Sequence, residues 1–161
     1  MRNAILVLVL VSLFPTTGDG AMKSQSVELQ LVIQNFHRDG KLSVRIEGAA
    51  GESLRFWKES NSWGAASWRV IVVRQGELKF FYQNPEQVFT RNFPSYTEHS
   101  GAATFDLDVN QSTWLTASSR PFDFRPGDIV VALYDVRPSP EAQKFHVWAG
   151  SLAAHKVFSE D

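Results

Sequence analysis

Histidine is the first residue type in this sequence that could carry metal or acid–base chemistry. The chain has four, His37, His99, His146 and His155. No two of them have the His-Glu-x-x-His pattern of a helix or the two-residue strand spacing that builds a zinc site. Cys is absent, which also removes thiolate ligands, Cys nucleophiles and disulfide bonds. We therefore expect solvated or hydrogen-bonded histidines, and no metal or other cofactor.

A second candidate is the run Asp106-Leu-Asp108-Val-Asn110, which places oxygen atoms at alternate positions as a calcium loop does. Calcium loops of the helix-loop-helix kind need Gly at the sixth place and Glu at the twelfth, and this run has neither. A strand explains the run better, because Leu107 and Val109 would point inward while Asp106 and Asp108 face water. We favour the strand.

Catalytic signatures are missing from the chain. Gly-x-Ser-x-Gly, Gly-x-Gly-x-x-Gly and the phosphate-binding Gly-rich loop with Lys are all absent. Paired carboxylates for a hydrolase depend on a separation in three dimensions, so Asp106, Asp108 and Asp128 stay open as an alternative. The prediction is a protein that is not an enzyme.

Aromatic residues in polar surroundings are the most informative feature. Trp63 lies in a predicted loop over residues 59–67, and further rings lie in a predicted irregular segment over residues 83–100. Rings beside polar partners suit a surface that recognises a protein, and flat rings also stack on sugars. The alternative is that they fold back and cap the end of the domain, because most large aromatics in a small domain are buried. The predicted binding residues are Trp63, Phe89, Arg91, Asn92, Phe93 and Tyr96.

The elements that would position these residues are strands, because apolar and polar side chains alternate along most of the chain. Turn residues separate the runs, as at Arg38-Asp-Gly-Lys41 and Gln75-Gly76. About eight or nine short strands without an amphipathic helix are typical of a β-sandwich or barrel, and we favour an antiparallel sandwich. The predicted strands cover residues 27–33, 42–46, 54–57, 68–73 (a central strand), 78–82, 105–109 (continued by 114–115 after a bulge), 129–136, 145–148 and 152–158.

The start of the chain has the order of a secretory signal peptide. Arg2 precedes an apolar run over residues 4–14, which is shorter than the ~20 residues that span a bilayer. Small residues follow up to Gly20, where we expect cleavage, with Ala21 as the alternative site. This predicts a signal peptide over residues 1–20 and one β-sandwich domain over residues 21–161. An uncleaved anchor is the other interpretation.

Composition limits the classes of partner. Hydrophobic residues make up 43% of the 161 residues and the formal net charge is −1. So much apolar surface argues against a disordered chain, and the balanced charge argues against a nucleic-acid partner, which needs clustered Lys and Arg. No stretch after the first is long enough to span a membrane, so we expect a secreted or periplasmic protein.

Three segments carry a resemblance. The Pro126-Gly-Asp128 turn, the apolar strand after it and Val147-Trp-Ala-Gly150 resemble the last hairpin of immunoglobulin-like modules in secreted bacterial proteins. Asn61-Ser-Trp-Gly64 and Arg91-Asn-Phe-Pro94 are similar to segments of uncharacterised proteins of that type. The resemblance implies an immunoglobulin-like sandwich and no particular activity, and the chain departs from antibody domains in lacking the inter-sheet disulfide.

These observations rank three functions. The first is an exported, non-catalytic binding or accessory module that presents its aromatic loops to a protein partner, as an envelope accessory factor, an inhibitor or an immunity-type protein does. The second is a carbohydrate-binding domain that uses Trp63 or Tyr96. A carboxylate-dependent hydrolase is third.

Overall fold

The computed structural model describes residues 28–58, 61–83, 94–116 and 121–159, so the predicted signal peptide lies outside the described residues. The described residues are mostly antiparallel β-strand, as the alternation predicts. The strands are β1 (Gln30–His37), β2 (Lys41–Glu47), β3 (Ser53–Trp57), β4 (Trp68–Arg74), β5 (Glu77–Gln83), β6 (Tyr96–Ser100), β7 (Ala102–Asp108), β8 (Trp114–Thr116), β9 (Ile129–Val136) and β10 (Gly150–Val157), with two short helices, α1 (Ser62–Ala65) and α2 (Pro140–Lys144).

The strands form three sheets. The largest has five strands in the order β10-β9-β4-β5-β8, the second has three in the order β1-β2-β7, and β3 pairs with β6. The prediction that residues 68–73 form a central strand is confirmed, because β4 is the middle strand of the five. Side chains of β4 alternate between buried and half-buried positions, so the two faces of this strand differ in how well they are covered.

The β3–β6 pair continues the three-stranded sheet across an irregularity. Glu47 lies opposite Ala102, and Ser53 lies opposite Ser100 on the other side of the irregularity. Between these pairs the residues numbered 48–52 face the single residue Gly101, whose N–H donates to the Glu52 carbonyl at 2.9 Å. Trp57 and Tyr96 form the last pair of the β3–β6 ladder, at the end away from the irregularity.

One hydrophobic core joins the sheets. Its cluster of buried side chains draws on all three sheets and on the segments that connect them. The four largest completely buried side chains, Trp68, Tyr134, Phe56 and Phe81, lie on strands that the sequence predicted, whereas the next, Phe124, lies outside them. On β7, Leu107 is buried while Asp106 is exposed, which confirms the strand interpretation of that run.

Two predicted turns are confirmed. Gly40, with φ of +86°, closes the turn between β1 and β2, and its N–H donates to the His37 carbonyl at 3.2 Å. Gln75 and Gly76, both with positive φ, connect β4 to β5, where Arg74 lies opposite Glu77. Two residues with positive φ are the signature of a tight hairpin turn, whose twist matches that of the strands.

Two strand predictions near the end of the chain are wrong. Residues 114–115 do not continue β7, because β8 pairs with β5 in the five-stranded sheet. Residues 145–148 are not a strand, because α2 ends there and His146 has φ of +54°. The Ser139 hydroxyl accepts from the N–H of Ala142 at 3.0 Å, and Pro140 follows it. Both residues favour the start of a helix, and this helix runs up to the residues where the strand was expected.

Two loop predictions are also wrong. Residues 62–65 form α1, although residues 59–67 were expected to be a loop, because the Asn61 side chain accepts from the N–H of Gly64 at 2.8 Å and caps the first turn. Tyr96 begins β6 and lies opposite Trp57, although an irregular segment was expected there.

Candidate functional site

Asn61 positions the two predicted binding residues that the structure describes. Its Oδ1 caps α1, which carries Trp63, while its Nδ2 donates to the Ser95 carbonyl at 2.7 Å. Ser95 immediately precedes Tyr96, and Asn61 itself is buried. One amide side chain therefore uses both its acceptor and its donor to tie α1 to the start of β6, which brings Trp63 and Tyr96 to the same end of the molecule.

The two rings belong to one group of four, which we call the aromatic cluster: Trp57, Trp63, Tyr96 and Phe145. Trp57 and Trp63 are stacked, with centroids 5.0 Å apart and an interplanar angle of 25°. Phe145 lies 6.1 Å from both Trp57 and Tyr96. Trp57 is buried, whereas the other three rings are half-buried, so the cluster is rooted in the core and reaches the surface.

Arg55 holds one side of the cluster. Its guanidinium lies 5.0 Å from the centre of the Tyr96 ring, and its Nη1 donates to the Phe145 carbonyl at 3.2 Å. Its Nε also pairs with Glu98 at 3.3 Å. A hydrogen bond from Ser53 and the charge of Arg55 hold the pKa of Glu98 below its ordinary value of 4.5. Arg55 therefore connects Tyr96, Phe145 and Glu98 through its guanidinium.

A cleft of about 280 Å³ opens beside Trp63. Its polar wall carries an ion pair in which Arg69 Nη1 lies 3.4 Å from Asp135, and Ser151 donates to the same carboxylate at 2.5 Å. The Ser67 hydroxyl donates to the Trp63 carbonyl at 2.6 Å, which connects the residues after α1 to the helix. The lining residues are Trp57, Ser62, Trp63, Ala66, Ser67, Arg69, Asp135, Val136, Arg137 and Ser139.

Arg137 is the lining arginine without a hydrogen-bond or ion-pair partner among the described residues. It follows the last residue of β9 and is exposed, and within the described part of the chain no hydrogen bond or ion pair holds its guanidinium. A guanidinium has five donors in a planar fork that matches a carboxylate. Among the described residues, the cleft thus combines an aromatic wall, the Arg69–Asp135 ion pair and the unpaired cation of Arg137.

The structure describes two of the six predicted binding residues. Trp63 and Tyr96 are brought to one cluster, and both are half-buried. Phe89, Arg91, Asn92 and Phe93 lie outside the described residues.

Sequence reasoning missed the polar side of the cleft. Arg69 and Asp135 each interrupt an otherwise apolar strand, which is a signal for a cross-strand pair, and Arg69 lies opposite Leu133, two residues before Asp135. Trp57 and Phe145 were assigned to strands on apolar patterning alone. Their part in the cluster depends on α2 and on β6, which that patterning did not reveal.

The three carboxylates considered for a hydrolase do not converge. Asp106 and Asp108 lie on β7, where Asp108 accepts from the N–H of Asn110 at 3.0 Å. Asp128 is buried and bound in a two-pronged ion pair with Arg74, at 2.8 and 2.7 Å. Over residues 28–58, 61–83, 94–116 and 121–159, His, Asp and Glu side chains form no group of three or more that could hold a metal ion.

Comparison with known proteins adds no family. The chain matches no protein-family model, no curated protein and no solved structure. None of the helices in the described residues is long and apolar enough to cross a membrane.

Proposed function

We propose that this chain is an exported, non-catalytic binding module that holds a protein partner at the cleft beside Trp63. The observation that carries the proposal is the exposed Arg137 guanidinium, free of partners among the described residues, on the same cleft as a half-buried tryptophan. Tryptophan and arginine are enriched among the residues that contribute most to protein–protein binding. A partner that inserts an apolar side chain against Trp63 and an acidic group against Arg137 fits this pair.

The finer description of the fold is part of the proposal. We infer an immunoglobulin-like β-sandwich, with the five-stranded sheet as one layer and the β1-β2-β7 sheet with its β3–β6 extension as the other. The single core shared by these sheets supports two layers. Cleavage after Gly20 would release this domain to the periplasm or the medium, where it would act as an envelope accessory factor, an inhibitor or an immunity-type protein.

A carbohydrate is the second candidate ligand. The cleft is small, and a tryptophan wall with hydroxyl and carboxylate groups nearby suits a sugar ring. Most of those polar groups are already engaged, however: Asp135 by Arg69 and Ser151, and Ser67 by the Trp63 carbonyl. Because a sugar needs free hydrogen-bonding groups, the cleft favours a protein.

Partner capture tests the proposal. The purified chain is immobilised and exposed to the envelope and secreted proteins of the source cell, and bound proteins are compared among variants. Arg137→Glu and Trp63→Ala should each weaken capture of a specific protein by about 30-fold or more, as expected for residues that dominate an interface. Arg125→Ala is the matched control, because Arg125 is an exposed arginine before the opposite end of β9.

The outcome separates the two ligand classes. Equal capture by wild-type chain, Arg137→Glu and Trp63→Ala would reject the cleft as a protein-binding site. Tryptophan fluorescence during titration with polysaccharides tests the second candidate, since a sugar against Trp63 should change the emission. If no glycan changes it, the carbohydrate hypothesis fails.

A further inference from the structure

The outer side of the five-stranded sheet is mainly apolar, although β10 adds Ser151 and His155, which lie opposite Asp135 and Val131. Residues directly opposite in an antiparallel pair point to the same face, so the register shows which side chains share it. One row crosses the sheet as Leu78, Val73, Ile129 and Val157. The apolar members, which we call the outer face, are Ile71, Val73, Leu78, Phe80, Tyr82, Leu115, Ile129, Val131, Leu133 and Val157.

The exposed large hydrophobic side chains are concentrated on this face. Leu78, Phe80, Tyr82, Ile129 and Val157 are exposed by 58, 54, 48, 36 and 53%, and they are all the large hydrophobic side chains found exposed in the described residues. Scattered surface hydrophobics are ordinary, but five on one sheet face are not. Together they present roughly 500 Å² of apolar surface, taking about 200 Å² for each complete side chain. A patch of this size is comparable to the largest apolar patch of a typical monomer, and such patches are often functional.

We propose that the outer face binds the outer face of a second copy of this chain. A stable interface buries about 800 Å² on each partner, and the five exposed side chains together with the half-buried residues between them approach that area. Two copies of one sheet have the same twist and pleat, so they can pack face to face in the aligned manner of sheet pairs. In a two-fold contact, Ile71 on the middle strand would lie near the symmetry axis.

Charge also favours a second copy. With His counted as neutral, as at pH 7, the outward-pointing charges among the sheet's register positions are Arg69 and Asp135, which lie at one end of the face and pair within one chain. The imidazole of His155, opposite Val131, also lies on this side. Two copies can therefore meet without the like-charge repulsion that a face of one sign would produce. Nothing in this face offers a strongly charged partner a complementary site, whereas the cleft does so through Arg137.

The first experiment measures the mass of the purified chain in solution over a range of concentrations. We expect a dimer, and Phe80→Glu should weaken it by at least about tenfold because each copy would bring a charge into an apolar contact. Thr104→Glu, an exposed strand position on β7, is the control and should stay dimeric. Phe80 is half-exposed and Phe81 fills the core beside it, so the variant is expected to fold, which its thermal unfolding will verify.

The second experiment uses the absence of Cys from the chain. Ile71→Cys is treated with a short bis-maleimide linker, because packed sheets lie about 10 Å apart, further than a direct disulfide spans. Efficient linkage of two copies through Cys at this position, with little for Thr104→Cys, would support the proposal. A wild-type chain that stays monomeric, a dimer that Phe80→Glu leaves intact, or equal linkage of both Cys variants would overturn it.

Discussion

At the scale of single residues, the Arg74–Asp128 pair is the least exposed ion pair among the described residues. Asp128 is buried, and its carboxylate accepts from Arg74 at two atoms and from the N–H of Arg125 at 2.8 Å. Arg74 also donates to the Asp123 carbonyl at 2.6 Å and lies 4.7 Å from the Phe122 ring centre. Burial raises the pKa of Asp128, but these hydrogen bonds and the charge of Arg74 outweigh burial and bring the pKa below its ordinary value of 3.8.

We predict that Asp128→Asn lowers the free energy of unfolding by about 2–3 kcal/mol at neutral pH, because it removes the charge of a buried, doubly hydrogen-bonded carboxylate and leaves the half-buried Arg74 guanidinium without its counter-charge. A carboxylate whose pKa is lower in the folded chain stabilises the fold above its unfolded value, and this contribution is lost as the pH falls through the folded pKa. The difference between wild type and variant should therefore shrink as the pH drops below about 4.

Urea unfolding at neutral pH and at acid pH measures both effects. Asp106→Asn is the matched control, since Asp106 is an exposed strand carboxylate, and its change should stay within about 0.5 kcal/mol. A gap between wild type and Asp128→Asn that does not depend on pH would contradict this account of the pair.

At the scale of elements, the hairpin turns fix the register of the strands that they connect. Gly40 and Gly76 have nearly the same φ, +86° and +85°. Their surroundings differ: a Cβ at Gly40 would come within 2.5 Å of Asn110 Nδ2 and 2.8 Å of the Phe122 carbonyl, whereas a Cβ at Gly76 would meet nothing within 4 Å. The first turn is packed against the Asn110 side chain and the second is open to solvent.

Replacing each of the two glycines by Ala distinguishes the cost of backbone strain from the cost of a steric clash. Gly76→Ala should cost about 1 kcal/mol, the strain of a positive φ in a residue with a side chain. Gly40→Ala should cost more, about 3 kcal/mol, because the Cβ also displaces Asn110, which donates to the Asp39 carbonyl at 2.6 Å and to the Phe122 carbonyl at 2.9 Å. Thermal unfolding of both variants gives the comparison, and equal losses would show that the close approach at Gly40 is relieved without cost.

At the scale of the whole molecule, β5 shows which face of the five-stranded sheet is the inside. Phe80 and Phe81 are neighbours in sequence, yet Phe80 is 54% exposed and Phe81 only 1%. Phe81 packs on Phe122 with centroids 4.9 Å apart. The core that joins the sheets therefore lies on one side of β5, and the surface assigned to a second copy lies on the other.

Truncating these two rings tests that arrangement. Phe81→Ala should lower the free energy of unfolding by about 3–5 kcal/mol, since it removes a buried ring and leaves a cavity. Phe80→Ala should cost less than about 1 kcal/mol when unfolding is measured on dilute, monomeric protein. Chemical denaturation at low protein concentration provides the measurement. Similar losses for both variants would mean that Phe80 is covered in the single chain, which conflicts with the fold described above.

Much of the fold follows from local pattern. The strands at residues 42–46, 54–57, 78–82 and 129–136 and the two hairpin turns were predicted closely, because alternation and Asp-Gly or Gln-Gly turns act over a few residues. The two helices were missed, although Asn61 and Ser139-Pro140 are capping signals, because each helix is too short to show apolar periodicity. Of the candidate site, sequence reasoning named Trp63 and Tyr96 but not Arg137 or the Arg69–Asp135 pair.

The sequence by itself determined most of the strands and the two hairpin turns, since these depend on the sizes, polarity and backbone preferences of neighbouring residues. Only the tertiary structure decided that β8 joins the five-stranded sheet, that Asn61 links Trp63 to Tyr96, and that the outer side of β4 and β5 is left open. The reason is physical: pairing and burial depend on residues far apart in the chain, and a strand that is apolar on both sides, such as β4, does not show in its own sequence which side the core will cover.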